Sequence, residues 1–509
     1  MALFLIFGGA MDELFIGVVA PVGVDYAVGL DLLEADLRVL DIEVVRVKLS
    51  SLIGQIPGVP VTPSDAEDER IWKLMRAGNE ARVRLSDGAA LAQLAILSVQ
   101  KNREERSGEA TKPAKRVAYL FLTLKNPDEI AFLRRIYGDA FILISLYEPR
   151  EERVTSLAHR IASSKQSSDM DSERSAAEAI VKADEKDGET QGQRTGDSFS
   201  EADFFVSTSS REVASKAIKR FVDILFGHPF HTPTVDEYGM FLAWGVSLRS
   251  ADLSRQVGAA FCDKNGNLIA VGCNDVPRAG GGQYWPGQGD ARDFQRGYDS
   301  SVFEKKRMVG EIVERLKANG WLSEAIGVLS VERRLTDLLG PGGDPILSGA
   351  GINNLLEHGR IVHAEMAAIA DAARRGFSLQ DSTLYTTTFP CHVCARHVVA
   401  AGAKRVVYVE PYPKSRAKDL HDDSIVVDSH ELVEGKVTFQ SFNGIAPRKY
   451  GAMFSMVNRK MKSGVAVAAA PESRKIRVRA LPAHYIVEEA LASKNLSVAL
   501  AKLKESSED

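Results

Sequence analysis

The chain has 509 residues, more than one ordinary domain, with 45% hydrophobic and 26% charged residues, the balance of a soluble globular protein. A formal charge of −4 excludes a broad basic face for long nucleic acids, though not a local cationic pocket. No apolar run approaches the roughly 20 residues of a membrane span, and four cysteines fit a reducing cytoplasm.

The opening Met1–Phe7 is apolar but short and has no basic flank, so a signal peptide is not expected, and Met11 is an equally good start. Glu13–Ala20 reads as a buried strand running through Pro21-Val22-Gly23-Val24-Asp25 into a helix. Strand, glycine turn and helix form the setting of a phosphate-binding loop, and Gly17, Gly23, Val24 and Asp25 are its candidate positions. Aligned on Gly23, Val24 stands where such a loop has Lys, and Asp25 where it has Ser or Thr. Ordinary kinase chemistry is therefore not expected.

Strands are predicted at Ile42–Val47, Val117–Leu122, Phe141–Leu146 and Phe204–Val206, alternating with helices. That alternation implies a largely parallel sheet, giving a first domain over residues 11–228. Arg150, Arg153 and Arg160 follow the fourth strand, where a kinase-like fold has a lid carrying arginines onto phosphates; a solvated helix face is the reading favoured here. Residues 162–203 hold eleven Asp or Glu, five Lys or Arg and one aromatic, and read as an acidic mobile insertion.

A second domain is expected over 229–445. A helix at Val235–Leu248 precedes a hairpin of Ser254–Phe261 and Leu268–Asn274, turning at Asn265-Gly266. That turn pairs Cys262 with Ile269 rather than Cys273, so no disulfide is expected. Residues 280–358 form an insertion with one helical run, Phe303–Asn319. A helix opening at His363, strand Leu384–Thr387, a helix opening at Cys391 and strand Lys404–Val409 complete an α-β-β-α-β-α-β order. Residues 446–509 are a C-terminal extension with a strand-like Lys475–Arg479 and a helix, Ile486–Leu503.

The chemistry concentrates in His363-Ala364-Glu365 and Pro390-Cys391-His392-Val393-Cys394. One imidazole and two thiolates hold Zn²⁺ with a fourth position open for water. Cys391 and Cys394 lie one helical turn apart at a helix start, where the dipole favours thiolate. Glu365, two residues past His363, reaches the site without ligating the metal and is the candidate proton shuttle. The competing arrangement is a closed structural site with His392 or His397 as fourth ligand.

The H-x-E and P-C-x-x-C pair resembles zinc-dependent nucleobase deaminases. Ser254–Ala259, Gly272-Cys273-Asn274 and Pro277-Arg278 narrow the resemblance of this domain to deoxycytidylate deaminases. Over most of its length the chain is similar to bacterial anti-phage dCTP deaminases, as in Arg135–Asp139, Val409–Ser415 and Leu420–Ser424. The implied fold class is α/β: an N-terminal P-loop kinase-like domain, then a cytidine deaminase-like three-layer α/β/α domain. The implied activity is hydrolytic deamination of dCTP or dCMP with Zn²⁺, depleting the nucleotide pool of an infected cell. Asn274 would bond the sugar 3′-hydroxyl, and Gln256, Val257, Gly258 and Ala259 would line the pyrimidine edge. Arg278 and Lys414 are the cations placed to meet phosphates. Ala367 and Cys273 depart from the deoxycytidylate deaminase pattern, which leaves room for a triphosphate.

Expected partners are the nucleotide substrate, a nucleotide effector, a regulatory RNA or protein inhibitor, and further copies of the chain, with no membrane. The rival functions are a polynucleotide cytosine or adenine deaminase and a non-catalytic, nucleotide-sensing zinc scaffold.

Overall fold

A computed structural model describes residues 13–185, 192–287, 289–340, 345–348, 350–354, 358–412, 415–429, 431–468, 476–477 and 481–508. The chain divides into two compact units, residues 1–237 with 442–509, and residues 238–441.

The first unit is built on β1 (Glu13–Val19), β2 (Glu43–Lys48), β3 (Val117–Leu122), β4 (Phe141–Tyr147) and β5 (Phe204–Ser207). All five run parallel, and β1 lies in the middle with β3 on one side and β4 on the other. Burial on both faces explains why β1, β3 and β4 are almost unbroken apolar runs. Leu14, Ile16 and Val18 point into a core shared with helices Tyr26–Val39 and Arg211–Leu225. On the opposite face Phe15 stacks on Tyr137, with ring centroids 3.7 Å apart. Gly17 lies inside β1 rather than in the loop. A Cβ there would stand 2.6 Å from the Phe141 ring, so it is a packing glycine of the sheet.

In its described residues the acidic stretch 162–203 differs from its expectation as a mobile insertion. Helix Arg150–Lys165 runs through its start, and Met170–Glu185 and Thr195–Ser200 are helices. Ala177, Ile180 and Val181 pack on Val154, Leu157 and Ile161. The stretch reads as linker because only one narrow apolar stripe is spread over mostly charged residues. Arg153 also departs from the solvated face expected of it: it is buried, with its guanidinium on the Val22 carbonyl.

The second unit carries β6 (Gly258–Cys262), β7 (Leu268–Cys273), β8 (Thr383–Thr388), β9 (Arg405–Glu410), β10 (Ile425–Val427) and β11 (Val437–Ser441). The sheet order is β10-β11-β9-β8-β6-β7, parallel from β10 to β8 and antiparallel at β6 and β7. Phe261 pairs with Ala270, the register set by the Asn265-Gly266 turn. A bulge then moves Cys262 opposite Leu268 rather than Ile269. Both cysteines are buried, and neither is in a disulfide. The insertion is helical at Ser300–Ala318, matching the run read from sequence, and again at Val331–Leu339.

Residues 442–509 belong to the first unit instead of forming a separate extension. Strand β12 (Gly444–Ile445) pairs antiparallel with β5, and helix Tyr485–Glu508 brings Glu489 to a buried Arg103. Of Lys475–Arg479, only Ile476 and Arg477 are described, and neither is in a strand. No described helix is long and apolar enough to cross a membrane.

Candidate metal centre

Two helix starts meet at the centre. His363 is the N-cap of helix Ala364–Arg375, and Cys391 is the N-cap of helix His392–Ala400. The Cys391 sulfur accepts from the Cys394 N–H at 3.4 Å, a side-chain cap that satisfies one open donor of the first turn. His363 Nδ1 lies 3.4 Å from each cysteine sulfur. Bonds of about 2.3 Å to sulfur and 2.0 Å to nitrogen at near-tetrahedral angles separate such donors by about 3.5 Å. The three donor atoms thus fit a zinc ion held on one side. Among the described residues no fourth His, Cys, Asp or Glu joins the group, and neither His392 nor His397 belongs to it.

The electrostatics follow from burial and proximity. The Cys394 thiol donates to Cys391, and His363 stands beside it, so the Cys391 thiol falls to about 4. Cys394 is pushed up, first by that shared proton and then by burial. The same contact with Cys391 raises His363. Both sulfurs bind a metal as thiolates, so metal binding releases the shared proton. Glu365, in the first turn after His363, is buried at 4% exposure. Burial and the Cys391 charge raise its carboxyl above the ordinary range, where it readily carries a proton.

Close backbone approaches bring the remaining residues to this point. A Cβ at Gly272 would stand 2.4 Å from the Ala364 carbonyl, so glycine lets β7 lie against the metal-bearing helix. One at Gly258 would stand 1.9 Å from the Ala243 carbonyl. Asp275 and Val362 then bridge in both directions, at 3.1 and 3.3 Å, fixing Asn274 near His363. The Asn274 side chain accepts from the Val257 N–H at 2.6 Å and donates to the Arg255 carbonyl at 2.8 Å. It therefore holds the Arg255–Val257 loop, keeping one amide hydrogen and one lone pair for a ligand. Gln256 fixes the same loop by donating to the Ser250 carbonyl at 2.8 Å. Gly258 donates to Thr387 Oγ1 at 3.1 Å, and Ala259 is buried in β6.

Arg278 lies in an exposed turn closed by its N–H on the Gly282 carbonyl at 2.9 Å, and its side chain makes none of the contacts above. Lys414 lies outside the described residues. Gly23, Val24 and Asp25 are in the first unit. Reading the sequence missed Thr387, Asp252 and Tyr412. Asp252 accepts from Ser254 and Arg255 N–H groups at 2.7 and 3.2 Å, an Asx turn that the Asp-Leu-Ser-Arg run signals. The Tyr412 phenol is raised by burial and by the nearby Cys391 charge.

Residues 233–410 match the family described as the cytidine and deoxycytidylate deaminase zinc-binding region. The deoxycytidylate deaminases of Enterobacteria phages T2 and T4 are each 44% identical over 55 residues, 11% of this chain and 29% and 28% of theirs. A probable deoxycytidylate deaminase of Caenorhabditis elegans is 41% identical over 165 residues, 32% of this chain and 52% of that one. The chain thus spans less than a third of the phage relatives and about half of the nematode one. Over residues 233–410 the chain is thus similar to the zinc-binding region of the cytidine and deoxycytidylate deaminases.

Proposed function

We propose that the chain is a zinc-dependent hydrolase that deaminates deoxycytidine nucleotides, dCTP, dCMP or both, to the deoxyuridine products. The observation that carries this is the one-sided His363, Cys391, Cys394 group with the buried Glu365 carboxyl beside it. Zn²⁺ bound there supplies a Lewis-acid centre that makes water a nucleophile near neutral pH. Glu365 takes a proton from the attacking water and delivers it to pyrimidine N3, then takes the second proton from the hydroxyl added at C4 and delivers it to the amine, which leaves as ammonia. Asn274 offers its remaining amide valences to the sugar, and the Val257–Ala259 backbone borders the base. Deoxycytidylate deaminase is also the name borne by the phage and nematode relatives. The wider reading is depletion of the nucleotide pool during phage infection by a kinase-like unit fused to a deaminase.

The test is turnover and metal content of the purified chain across dCTP, dCMP, CTP, cytidine and single-stranded DNA. Ammonia release from a deoxycytidine nucleotide with about one zinc per site is expected. Zinc without turnover of any of the five would favour a scaffold, and turnover of the DNA alone would favour a polynucleotide enzyme.

Arg278 separates the phosphate contribution from the base. Arg278→Ala is expected to raise KM for dCTP by about tenfold or more, the loss of one charge-assisted contact. KM for deoxycytidine should change little. Equal effects on both substrates would remove Arg278 from the phosphate site.

A further inference from the structure

The loop that follows β1 is already holding anions, and they are the protein's own. The Val22 N–H donates to Asp184 Oδ2 at 2.7 Å, and the Asp25 N–H donates to Glu148 Oε1 at 3.1 Å. Lys125 reaches the same place, 2.9 Å from Asp184 Oδ1 and 2.7 Å from the Ala20 carbonyl. Arg153 covers the loop from the other side: its Nη1 donates to the Val22 carbonyl at 3.3 Å, and its Nη2 to Glu185 Oε1 at 2.9 Å. Gly23, at φ +98°, lets Arg153 come this near, since a Cβ there would stand 2.7 Å from the Arg153 carbonyl. Thr195 and Thr208 add hydroxyls to Asp184 and Glu148 at 3.1 and 2.8 Å.

Three features make this more than an ion-pair network. The loop leaves the carboxyl end of the central strand, between β3 and β4, the switch point where parallel sheets hold ligands. Helix Tyr26–Val39 begins directly after it, with its free N–H groups and positive end. Arg153 is 6% exposed, yet its Nε is a buried donor with no partner among the described residues. The donors, the buried Arg153 and the partly buried Lys125 therefore form a built oxyanion site, whose charge is neutralised by Asp184 and Glu185. Those two carboxylates end the same helix, Met170–Glu185.

We propose that this loop is a self-occupied phosphate site, kept closed by Asp184 and Glu185, and that a polyphosphate enters only by displacing that helix end. Lys125, Arg153 and the Val22 N–H would then pass from the carboxylates to phosphate oxygens. The site accounts for the missing loop lysine, because Lys125 supplies the cation from the loop after β3. It does not depend on the deaminase reading, since its ligand is read by binding rather than turnover.

The experiment measures binding of ATP and of inorganic tripolyphosphate to the full chain by calorimetry. Asp184→Asn with Glu185→Gln is expected to tighten both by about tenfold or more, because a competing state is removed. Adding Lys125→Met should abolish the gain. Tightening for ATP alone would mean that the base is also read, and tightening for both that the polyphosphate suffices. Unchanged affinity in a folded double variant overturns the proposal. If that variant does not fold, hydrogen exchange of the wild-type chain decides. Faster exchange at the end of helix Met170–Glu185 under millimolar tripolyphosphate supports the proposal, and unchanged exchange overturns it.

Discussion

Glu365→Ala is expected to keep its zinc and lose turnover by about a thousandfold, within the range that positioned acid–base groups supply. Its carboxyl is no part of the His363, Cys391, Cys394 group, so metal affinity has no reason to fall. Only the proton path from water to the ring and the amine is cut. Glu365→Gln should behave alike, since the amide has the shape but cannot carry the proton. The check is metal content by atomic spectroscopy beside steady-state ammonia release. Loss of zinc in step with activity would make Glu365 a structural neighbour of the metal. Full activity would end the assigned role.

The metal centre was legible because its parts are local. His363 and Glu365 are two residues apart and Cys391 and Cys394 three, so helix geometry alone puts each pair together. The joining of the two halves was implied by motif and not by any spacing. In the structure it rests on β8 lying between the two helices in sequence and on a glycine, Gly272, that lets β7 touch the metal-bearing helix. The sheet of the first unit was legible for a similar reason: buried parallel strands are continuous apolar runs, and Val117–Leu122 stands as read. Helix Met170–Glu185 was not, because its buried stripe of Ala177, Ile180 and Val181 is short and its charges dominate the composition. Nor could spacing show that Asp184 would meet Val22, 162 residues away, or that Arg153 would be buried rather than solvated.

The same limit applies to a buried cluster that carries the largest stability prediction. Arg103 is fully buried and grips two carboxylates: Glu13 of β1, at 2.7 and 2.8 Å, and Glu489 of the C-terminal helix, at 3.0 Å from Nη2. Tyr485 donates to Glu13 at 2.9 Å and Tyr137 to Glu489 at 2.7 Å, so the carboxylate oxygens are also paired with phenols. These partners lie 90 and 386 residues from Arg103. Burial raises Glu489 above the ordinary carboxyl range, against the pull of Arg103. Arg103→Met would leave two acids facing each other with no cation, and one must then remain charged without a counter-ion or take a proton. The expected cost is about 3–5 kcal/mol, typical of breaking a buried pair from one side. Arg103→Lys should recover only part of it, since an ammonium cannot present the fork that meets both carboxylates. The pH dependence has a definite sign. A buried acid with a raised pKa destabilises the folded state above its unfolded value, and that penalty fades as pH falls through the folded pKa. The gap between Arg103→Met and wild type should therefore narrow as the medium is acidified from neutral toward the raised Glu489 value. Urea unfolding followed by near-ultraviolet circular dichroism at several pH values measures it. A cost below about 1 kcal/mol at neutral pH, the scale of an exposed pair, would mean that the cluster is hydrated and holds nothing together.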